Sequence, residues 1–203
     1  MQGTAFAVVT SQVLPVEGCD ACMDLVHGST HGSMRYFSID PGKTGGWALL
    51  HETDEGKSVK MAGPLPMTYE KKYDLKALVM LMRPPYKIDD GCYIVYEKLH
   101  AMPMKGSIAA HERGYAQGMI EAMATALRLP LVGVSPQKWQ NKMLPADYED
   151  TKKAAVLVAK ERFPYIDLST GKPKVEGTPD LKKKAHQGIV DALLIGEYAR
   201  LYI

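Results

Sequence analysis

The order of strand-like and helix-like segments predicts an α/β fold, a mixed five-stranded sheet flanked by helices. Three strand-like segments come first, a helix follows, and strands then alternate with helices. This order is typical of a sheet that combines parallel and antiparallel neighbours and carries helices on its faces. The chain has 203 residues, which fits one such domain with an appendage better than two full domains.

Turn signals separate the first three strands. Residues 36–40 form an apolar run that ends in an acid, and the Pro- and Gly-rich stretch 41–46 leads into a second strand that begins at 47–50. A further turn signal at 54–57 precedes a third strand at 58–62. Gly and Pro interrupt extended runs and favour tight turns, so we expect three short strands here.

The later segments alternate between helical and extended patterns. Apolar side chains recur at helical spacing from Leu75 to Met82, which predicts a helix over 69–82 that the following prolines end. Ser135 and Pro136 are the residue types of a helix N-cap and a first helical position. The later elements are a strand at 92–97, a helix at 107–127, a strand at 131–134, and helices at 136–143, 151–163 and about 185–202.

The composition is ordinary for a soluble globular protein, with 46% hydrophobic and 24% charged residues. No apolar run approaches the roughly 18 residues that span a bilayer, and no basic-then-apolar signal segment opens the chain. Three cysteines are too few for a disulfide framework in a chain of this length. We therefore expect a cytoplasmic protein without a membrane partner.

The net charge of +2 is unevenly distributed. Residues 1–33 carry three acids and no Lys or Arg, so the rest of the chain carries +5. The basic surplus is clustered at 71–72, 152–153 and 182–184. Such clusters are usually solvated faces, and they are also the charges that bind a phosphate backbone.

The chain divides into an N-terminal extension at 1–33 and a domain at 34–203. The extension is rich in Gly, Ser and Thr, and its end at 32–34 has the sequence of a cloning remnant. We expect this extension to be disordered or derived from cloning. An alternative is a small zinc knuckle with two thiolates and two imidazoles, which would be Cys19, Cys22, His27 and His31.

Three acids far apart in the sequence are each fixed to a predicted element of regular structure. Asp40 ends the first strand, Glu97 ends the strand at 92–97, and Asp191 lies inside the last helix. Carboxylates held on a rigid scaffold are suited to binding divalent cations. The three acids together predict one acidic site that holds such cations and cuts a phosphodiester.

With these elements in place, the sequence resembles the RuvC family of Holliday-junction endonucleases, most closely its shorter viral members. The resemblance implies the RNase H-like fold and a nuclease domain over 34–203. Five motifs carry it, in order from Met34 to Tyr202. The first motif comprises residues 38–42 and 45–48. The other four lie at 96–103, 114–118, 134–139 and 186–195.

By this resemblance, Asp40, Glu97 and Asp191 are ligands of two Mg²⁺ ions, for which Mn²⁺ can substitute. Two divalent ions about 4 Å apart activate a water on one side of a phosphate and stabilise the leaving oxygen on the other. Mg²⁺ takes oxygen ligands, and several carboxylates must converge to offset the repulsion between two cations. Asp40 is expected to bridge the two ions.

The resemblance leaves the fourth ligand open. Relatives place an acid, or sometimes His, about one helical turn before the last Asp. Here Gly188 and Gln187 lie three and four residues before Asp191, and His186 lies five before it. Side chains three or four apart share a helix face, which favours Gln187, whereas His186 could reach the site if the helix began at about residue 187. His186 and Gln187 remain near-equal candidates for a catalytic role.

The DNA-facing side chains are also taken from the resemblance. His100 lies three residues after Glu97, where relatives can carry an aromatic that enters the junction centre, and a solvated loop His is the alternative. Lysines would contact phosphates, which position a protein on DNA without reading its sequence. The predicted DNA-binding residues are His100, Lys105, Arg113, Lys138, Lys152, Lys153, Lys182, Lys183 and Lys184.

The resemblance implies a homodimer that acts on branched DNA. Relatives use the long helix at 107–127 at a dimer interface, and Gly114 and Gly118 suit close packing of two helices. The leading prediction is a Mg²⁺-dependent endonuclease that resolves four-way junctions by paired hydrolysis at two symmetry-related sites. The alternatives are an RNase H-like nuclease on another branched or hybrid substrate and a catalytically weakened junction-binding protein, which Gln187 would explain.

Overall fold

The computed structural model describes residues 34–53, 56–83, 91–98, 107–146, 148–172, 174 and 184–203. All of them belong to one compact unit, Gly32–Ile203. The predictions made for the extension at 1–33 lie outside the described residues and stay predictions. So do those for His100, Lys105, Lys182 and Lys183.

The described residues form five strands and five helices. The strands are β1 (Arg35–Asp40), β2 (Gly46–Thr53), β3 (Gly56–Pro64), β4 (Cys92–Glu97) and β5 (Leu131–Val134). The helices are α1 (Leu75–Met82), α2 (Ser107–Ala126), α3 (Pro136–Met143), α4 (Thr151–Arg162) and α5 (Gln187–Tyr202). Among them, no helix has both the length and the apolarity to cross a membrane.

The five strands form one sheet in the order β3-β2-β1-β4-β5. β1 is antiparallel to β2 and β2 to β3, because short turns connect them, whereas β4 runs parallel to both β1 and β5. This is the mixed five-stranded sheet that the sequence predicts, and the predicted fold class is confirmed. β1 lies at the centre of the sheet, between β2 and β4.

Helices cover both faces of the sheet. On one face, α3, α4 and α5 pack over buried side chains such as Leu50 and Trp139. On the other face, α1 and α2 pack over buried side chains such as Phe37 and Ile94. Neighbouring residues of a strand point to opposite faces, so Tyr36 contributes to the first cluster and Phe37 to the second.

α5 is buried along most of its length and is tied to β1 by a long-range hydrogen bond. The Ser38 hydroxyl donates to the backbone oxygen of Ala192 at 2.7 Å. Near the other end of the helix, the buried Glu197 carboxylate accepts from Arg162 at 3.1 Å and from Arg200 at 2.9 Å. A buried carboxylate needs such partners, because its charge is costly to remove from water. These bonds fix the helix that carries Asp191.

One predicted helix begins later than expected. The sequence predicts a helix from residue 69, whereas α1 begins at Leu75. The Asp74 side chain accepts from the backbone N–H of Ala77 at 3.0 Å and caps the helix there. The preceding residues form a turn closed by Thr68, in which Lys71 has a left-handed φ of 59°. The segment at 69–74 is therefore a loop on the surface rather than a first helical turn.

Candidate active site

The three predicted acids come to one edge of the sheet. β1 and β4 are parallel neighbours, so Asp40 and Glu97 end their strands at the same edge. Asp191 lies in the first turns of α5, whose N-terminal end reaches this edge through a bridge between Gly45 and Gly188. The architecture thus brings together side chains that are far apart in the sequence.

Glycines set the approach of α5 to the β1–β2 turn. A Cβ atom at Gly188 would lie well under 3.0 Å from backbone atoms of Thr44 and Gly45, and one at Gly46 would collide in the same way with the backbone of Gly188. The two backbones are in direct contact, which places Asp191 beside the turn that follows Asp40. The same contact leaves no room for any side chain at residue 188, three positions before Asp191.

The three acids lie close enough for their charges to interact. Burial raises the pKa of Asp40 well above its usual value, and the charges of Asp191 and Glu97 raise it further. Burial raises the pKa of Asp191 to about 7, against a hydrogen bond from Gln187, and Glu97 adds to the rise. The pKa of Glu97 is raised by burial and lowered in part by a hydrogen bond from Trp139. Buried like charges in mutual range raise pKa values in this way.

Two hydrogen-bond donors orient the carboxylates. Trp139 is 1% exposed, and its Nε1 donates to Glu97 Oε2 at 2.8 Å. Gln187 Nε2 donates to Asp191 Oδ1 at 2.8 Å. Because each bond occupies one oxygen, the other carboxylate oxygen of each residue is left for a further ligand.

The two candidates for a fourth ligand, His186 and Gln187, have different hydrogen-bond partners in the structure. α5 begins at Gln187, so His186 is its N-cap, and the Nδ1 atom of His186 accepts from the backbone N–H of Ile189 at 3.3 Å. Gln187 contacts Asp191 directly. The His186 side chain therefore caps the N-terminal end of α5, whereas the Gln187 side chain lies beside Asp191.

The three acids are chemically suited to bind a divalent cation through two carboxylates at a time, with water as the remaining ligands. Within the described ranges, no three His, Cys, Asp or Glu side chains are arranged to hold one ion. Yet Asp40, Glu97 and Asp191 supply only oxygen ligands, and positive charges act on two of them, that of Arg113 on Glu97 and that of Lys152 on Asp191. Mg²⁺ usually takes one or two carboxylates and keeps several waters, so pairs of these acids would suffice.

The predicted DNA-binding residues fall into two groups. The charge of Arg113 on α2 acts on Glu97, and the charge of Lys152 on α4 acts on Asp191, so both lie near the acids. The other described ones are exposed, and one of them, Lys153, forms an ion pair with Asp150 at 3.4 Å. These exposed residues are Lys138, Lys153 and Lys184.

Two further residues, Trp139 and Tyr73, lie at the site without a role predicted from the sequence. Trp139 was part of a motif that carried the resemblance, and its contact with Glu97 joins residues 42 positions apart. Tyr73 follows two lysines in the loop before α1, and its pKa is raised by burial and then by Glu112 and Asp40. The Lys-Lys-Tyr sequence was the available signal for Tyr73, but it was interpreted as part of a helix.

Without divalent ions, stability is expected to fall as the pH rises from about 4 to about 7. Asp191 holds its proton more tightly in the folded state, where its pKa is about 7, than in the unfolded state, where it is 3.8. Its contribution to the free energy of unfolding is therefore fully present below about pH 3.8 and is lost as the pH rises through about 7. Asp40 acts in the same direction. Thermal unfolding in EDTA at pH 5 and pH 8 measures this, and Asp191→Asn should reduce the difference in Tm. An unchanged difference in the variant would contradict the assignment.

The fold is of the α/β, RNase H-like class, and it is shared with solved RuvC structures. Thermus thermophilus RuvC in complex with Holliday junction substrate matches with a TM-score of 0.51 and 16% identity, over 83% of this chain and 97% of that chain. A second Thermus thermophilus RuvC structure matches with a TM-score of 0.50 and 17% identity, over 83% and 96%.

A weaker match is the yeast mitochondrial Holliday junction resolvase, with a TM-score of 0.46 and 10% identity, over 87% of this chain and 82% of that chain. No protein-family model matches the sequence, and neither does any curated protein. At these identities the likeness is one of fold. A shared fold does not fix function, which depends on the residues of the site.

Proposed function

We propose that this chain is a divalent-metal-dependent, structure-selective endonuclease that resolves four-way or branched DNA junctions. The observation that supports it is the meeting of Asp40, Glu97 and Asp191 at one sheet edge, where partial burial raises the pKa of each and the charges of neighbouring acids raise those of Asp40 and Asp191 further. Carboxylates held close together away from water are costly, and residues with such raised pKa values concentrate at sites that bind ions or reactants. The fold is also that of a RuvC structure bound to a Holliday junction substrate.

Each side chain has a part in this proposal. Asp40, Glu97 and Asp191 would hold the ions, which supply an activated water and stabilise the leaving oxygen. Trp139 keeps the Glu97 carboxylate in one orientation. Arg113 and Lys152 lie close enough to the acids to attract the phosphate that is cut. The exposed lysines would hold the DNA arms in a salt-dependent way.

Paired cleavage requires two such sites. We propose a homodimer that forms through α2, where Gly114 and Gly118 are exposed and a Cβ atom at either would contact nothing within 4 Å. That open surface allows the backbone of a second helix to approach closely. A two-fold axis would then present two acidic sites to strands of the same polarity in a junction.

Cleavage of a synthetic four-way DNA junction tests the proposal. Nicks at symmetry-related positions in Mg²⁺, and none in EDTA, are expected. A linear duplex of the same sequence is the substrate control, and an RNA–DNA hybrid tests the RNase H-like alternative. Preferred cutting of the hybrid would replace the proposed substrate. Tight junction binding without cutting in Mg²⁺ or Mn²⁺ would favour a protein that has lost catalysis.

Gln187→Asp is expected to increase nicking at low Mg²⁺ and to shift the metal dependence to lower concentration. Gln187 contacts Asp191 but lacks the charge that would hold a second cation firmly. Nicking rates across a Mg²⁺ and a Mn²⁺ series measure the shift, with Gln187→Asn as the matched uncharged control.

His186→Ala separates the two candidates for the fourth ligand. It should cost about 1 kcal/mol of stability through the lost helix cap and leave the metal dependence unchanged. A changed metal profile in His186→Ala, with none in Gln187→Asp, would make His186 the ligand.

A further inference from the structure

A cleft of about 340 Å³ lies beside the acids and has no role in the chemistry described so far. Three parts of the chain form its walls. Lys43 comes from the β1–β2 turn, Lys71, Lys72 and Tyr73 come from the loop before α1, and His111, Glu112 and Tyr115 come from α2. Lysines interleaved with aromatic rings are the side chains that bind a nucleic-acid strand.

The aromatic part of the cleft is a pair of tyrosines. The ring centroids of Tyr73 and Tyr115 lie 6.0 Å apart with an angle of 32° between the planes. Tyr115 is 51% exposed, so a large part of its surface faces solvent. A nucleobase can stack on such a ring whatever its sequence, because every base has a π-face.

The lysines make the cleft a site for phosphates. Lys43 pairs with Glu112, and Lys72 pairs with Glu70 at 2.7 Å, but both pairs are exposed. Exposed ion pairs contribute little to stability, so phosphates can replace the carboxylates at low cost. Lys71 forms no ion pair with any residue in the part of the chain that the structure describes.

The backbone at Lys71 is itself unusual. Its φ of 59° is left-handed, a conformation that costs a non-glycine residue roughly 1–2 kcal/mol. The turn around it is closed by hydrogen bonds from Thr68 N–H to Lys72 O at 2.7 Å and from Lys71 N–H to Thr68 O at 2.9 Å. Strained backbone of this kind concentrates at functional sites, and here it occurs in the segment that lines the cleft.

The cleft adjoins the acids. The Asp40 charge contributes to the raised pKa of Tyr73, so the two residues are within electrostatic range. Lys43 lies in the turn that directly follows the strand ended by Asp40. A DNA strand with one phosphate at the acids would therefore continue into the cleft within a short distance.

We propose that this cleft binds an unpaired nucleotide of the cleaved DNA strand, with its base stacked on Tyr115 and its phosphates on Lys71 and Lys72. The inference rests on the proposed nuclease function and specifies which part of the substrate the site recognises. Junctions and branches are the DNA forms that offer unpaired or unstacked nucleotides, and a continuous duplex does not. The cleft thus gives a physical basis for selecting branched DNA.

Binding of a fluorescent oligothymidylate to the full chain in EDTA tests this inference without any cleavage. Tyr115→Ala should weaken binding by about 5- to 150-fold, the equivalent of the roughly 1–3 kcal/mol that stacking of one base contributes. Tyr115→Phe keeps the ring and should bind as the wild type does. Lys71→Asn suits the left-handed backbone and should lower the slope of log K against log salt by about 0.7.

Lys160→Ala is the control, because it removes an exposed lysine from α4, outside the lining of the cleft. Wild-type binding in both Tyr115→Ala and Lys71→Asn would overturn the inference, as would an equal loss in Lys160→Ala. A change of oligomeric state in Tyr115→Ala, measured by light scattering, would also overturn it and assign the ring to a subunit contact.

The same variants distinguish failure of the cleft from failure of the proposed function. If the wild type nicks junctions but Tyr115→Ala binds oligothymidylate normally, the cleft inference fails and the nuclease proposal stands. If the wild type neither binds oligothymidylate nor nicks junctions in Mg²⁺ or Mn²⁺, both proposals fail.

Discussion

Asp40→Asn is expected to abolish junction nicking while junction binding is retained. Asp40 is the acid whose pKa responds to both of the others, which makes it the carboxylate best placed to serve two ions. The substitution removes charge and leaves shape and the basic surface unchanged. Loss of metal-based stabilisation worth about 4 kcal/mol would lower the rate by roughly 10³-fold.

The same substitution makes a second prediction that does not depend on activity. A neutral side chain at residue 40 removes the cost of burying the Asp40 charge and its repulsion by Asp191 and Glu97. Asp40→Asn should therefore raise Tm of the metal-free protein in EDTA at pH 8. Gain of stability together with loss of function is the pattern of a residue retained for chemistry.

Three measurements test Asp40→Asn: nicking in saturating Mg²⁺, junction affinity in EDTA, and thermal unfolding. Glu149→Gln is the control, since it removes an exposed carboxylate in the segment between α3 and α4. Glu97→Gln and Asp191→Asn should lose nicking as Asp40→Asn does. Nicking by Asp40→Asn at a rate near that of the wild type would remove Asp40 from the mechanism.

Gly188→Ala is expected to lower the free energy of unfolding by about 3 kcal/mol or more. The added methyl group would meet backbone atoms of Thr44 and Gly45, which cannot rotate away as a side chain can. Overpacking typically costs about 1–3 kcal/mol, and a backbone-to-backbone contact belongs at the upper end. Relief requires α5 to move away from the β1–β2 turn.

Nicking by Gly188→Ala should fall even where the variant is folded. Moving α5 carries Asp191 away from Asp40, and a misplacement of about 1 Å in a catalytic site can lower a rate by about 10²-fold. Gly118→Ala is the matched control for stability when both variants are compared as monomers, because within one protomer its methyl group would meet nothing within 4 Å. It should stabilise α2 by about 0.5–1 kcal/mol. Equal stability of the two variants, measured by urea unfolding, would contradict the packing argument.

Local sequence patterns were sufficient for the elements that carry the acids. Asp40 and Glu97 each end an apolar run of strand length, and both runs became strands at the predicted positions. The start of α1 was wrong because apolar spacing cannot detect a competing local structure. There the Asp74 cap and the Thr68 turn determine where the helix begins.

Contacts between distant residues could not be predicted in this way. The bond from Trp139 to Glu97 and the contact of Gly188 with Gly45 exist only once the sheet and helices are assembled. The choice between His186 and Gln187 was open for the same reason, since a shift of one residue in the helix start exchanges a helix-capping position for one that faces Asp191. Gly188 could have suggested close packing, but its partner could not be identified from the sequence.

The order of the strands also has a consequence for synthesis on the ribosome. β1 is the first of the described strands to emerge and the central one in the sheet, yet its Ser38 is bonded to a helix residue 154 positions later. Contacts of such long range slow folding, because a long loop must close before they form. A nascent or truncated chain that lacks α5 has only two of the three acids and cannot complete the core around β1. Assembly of the site is thereby delayed until the helix that carries Asp191 has been made.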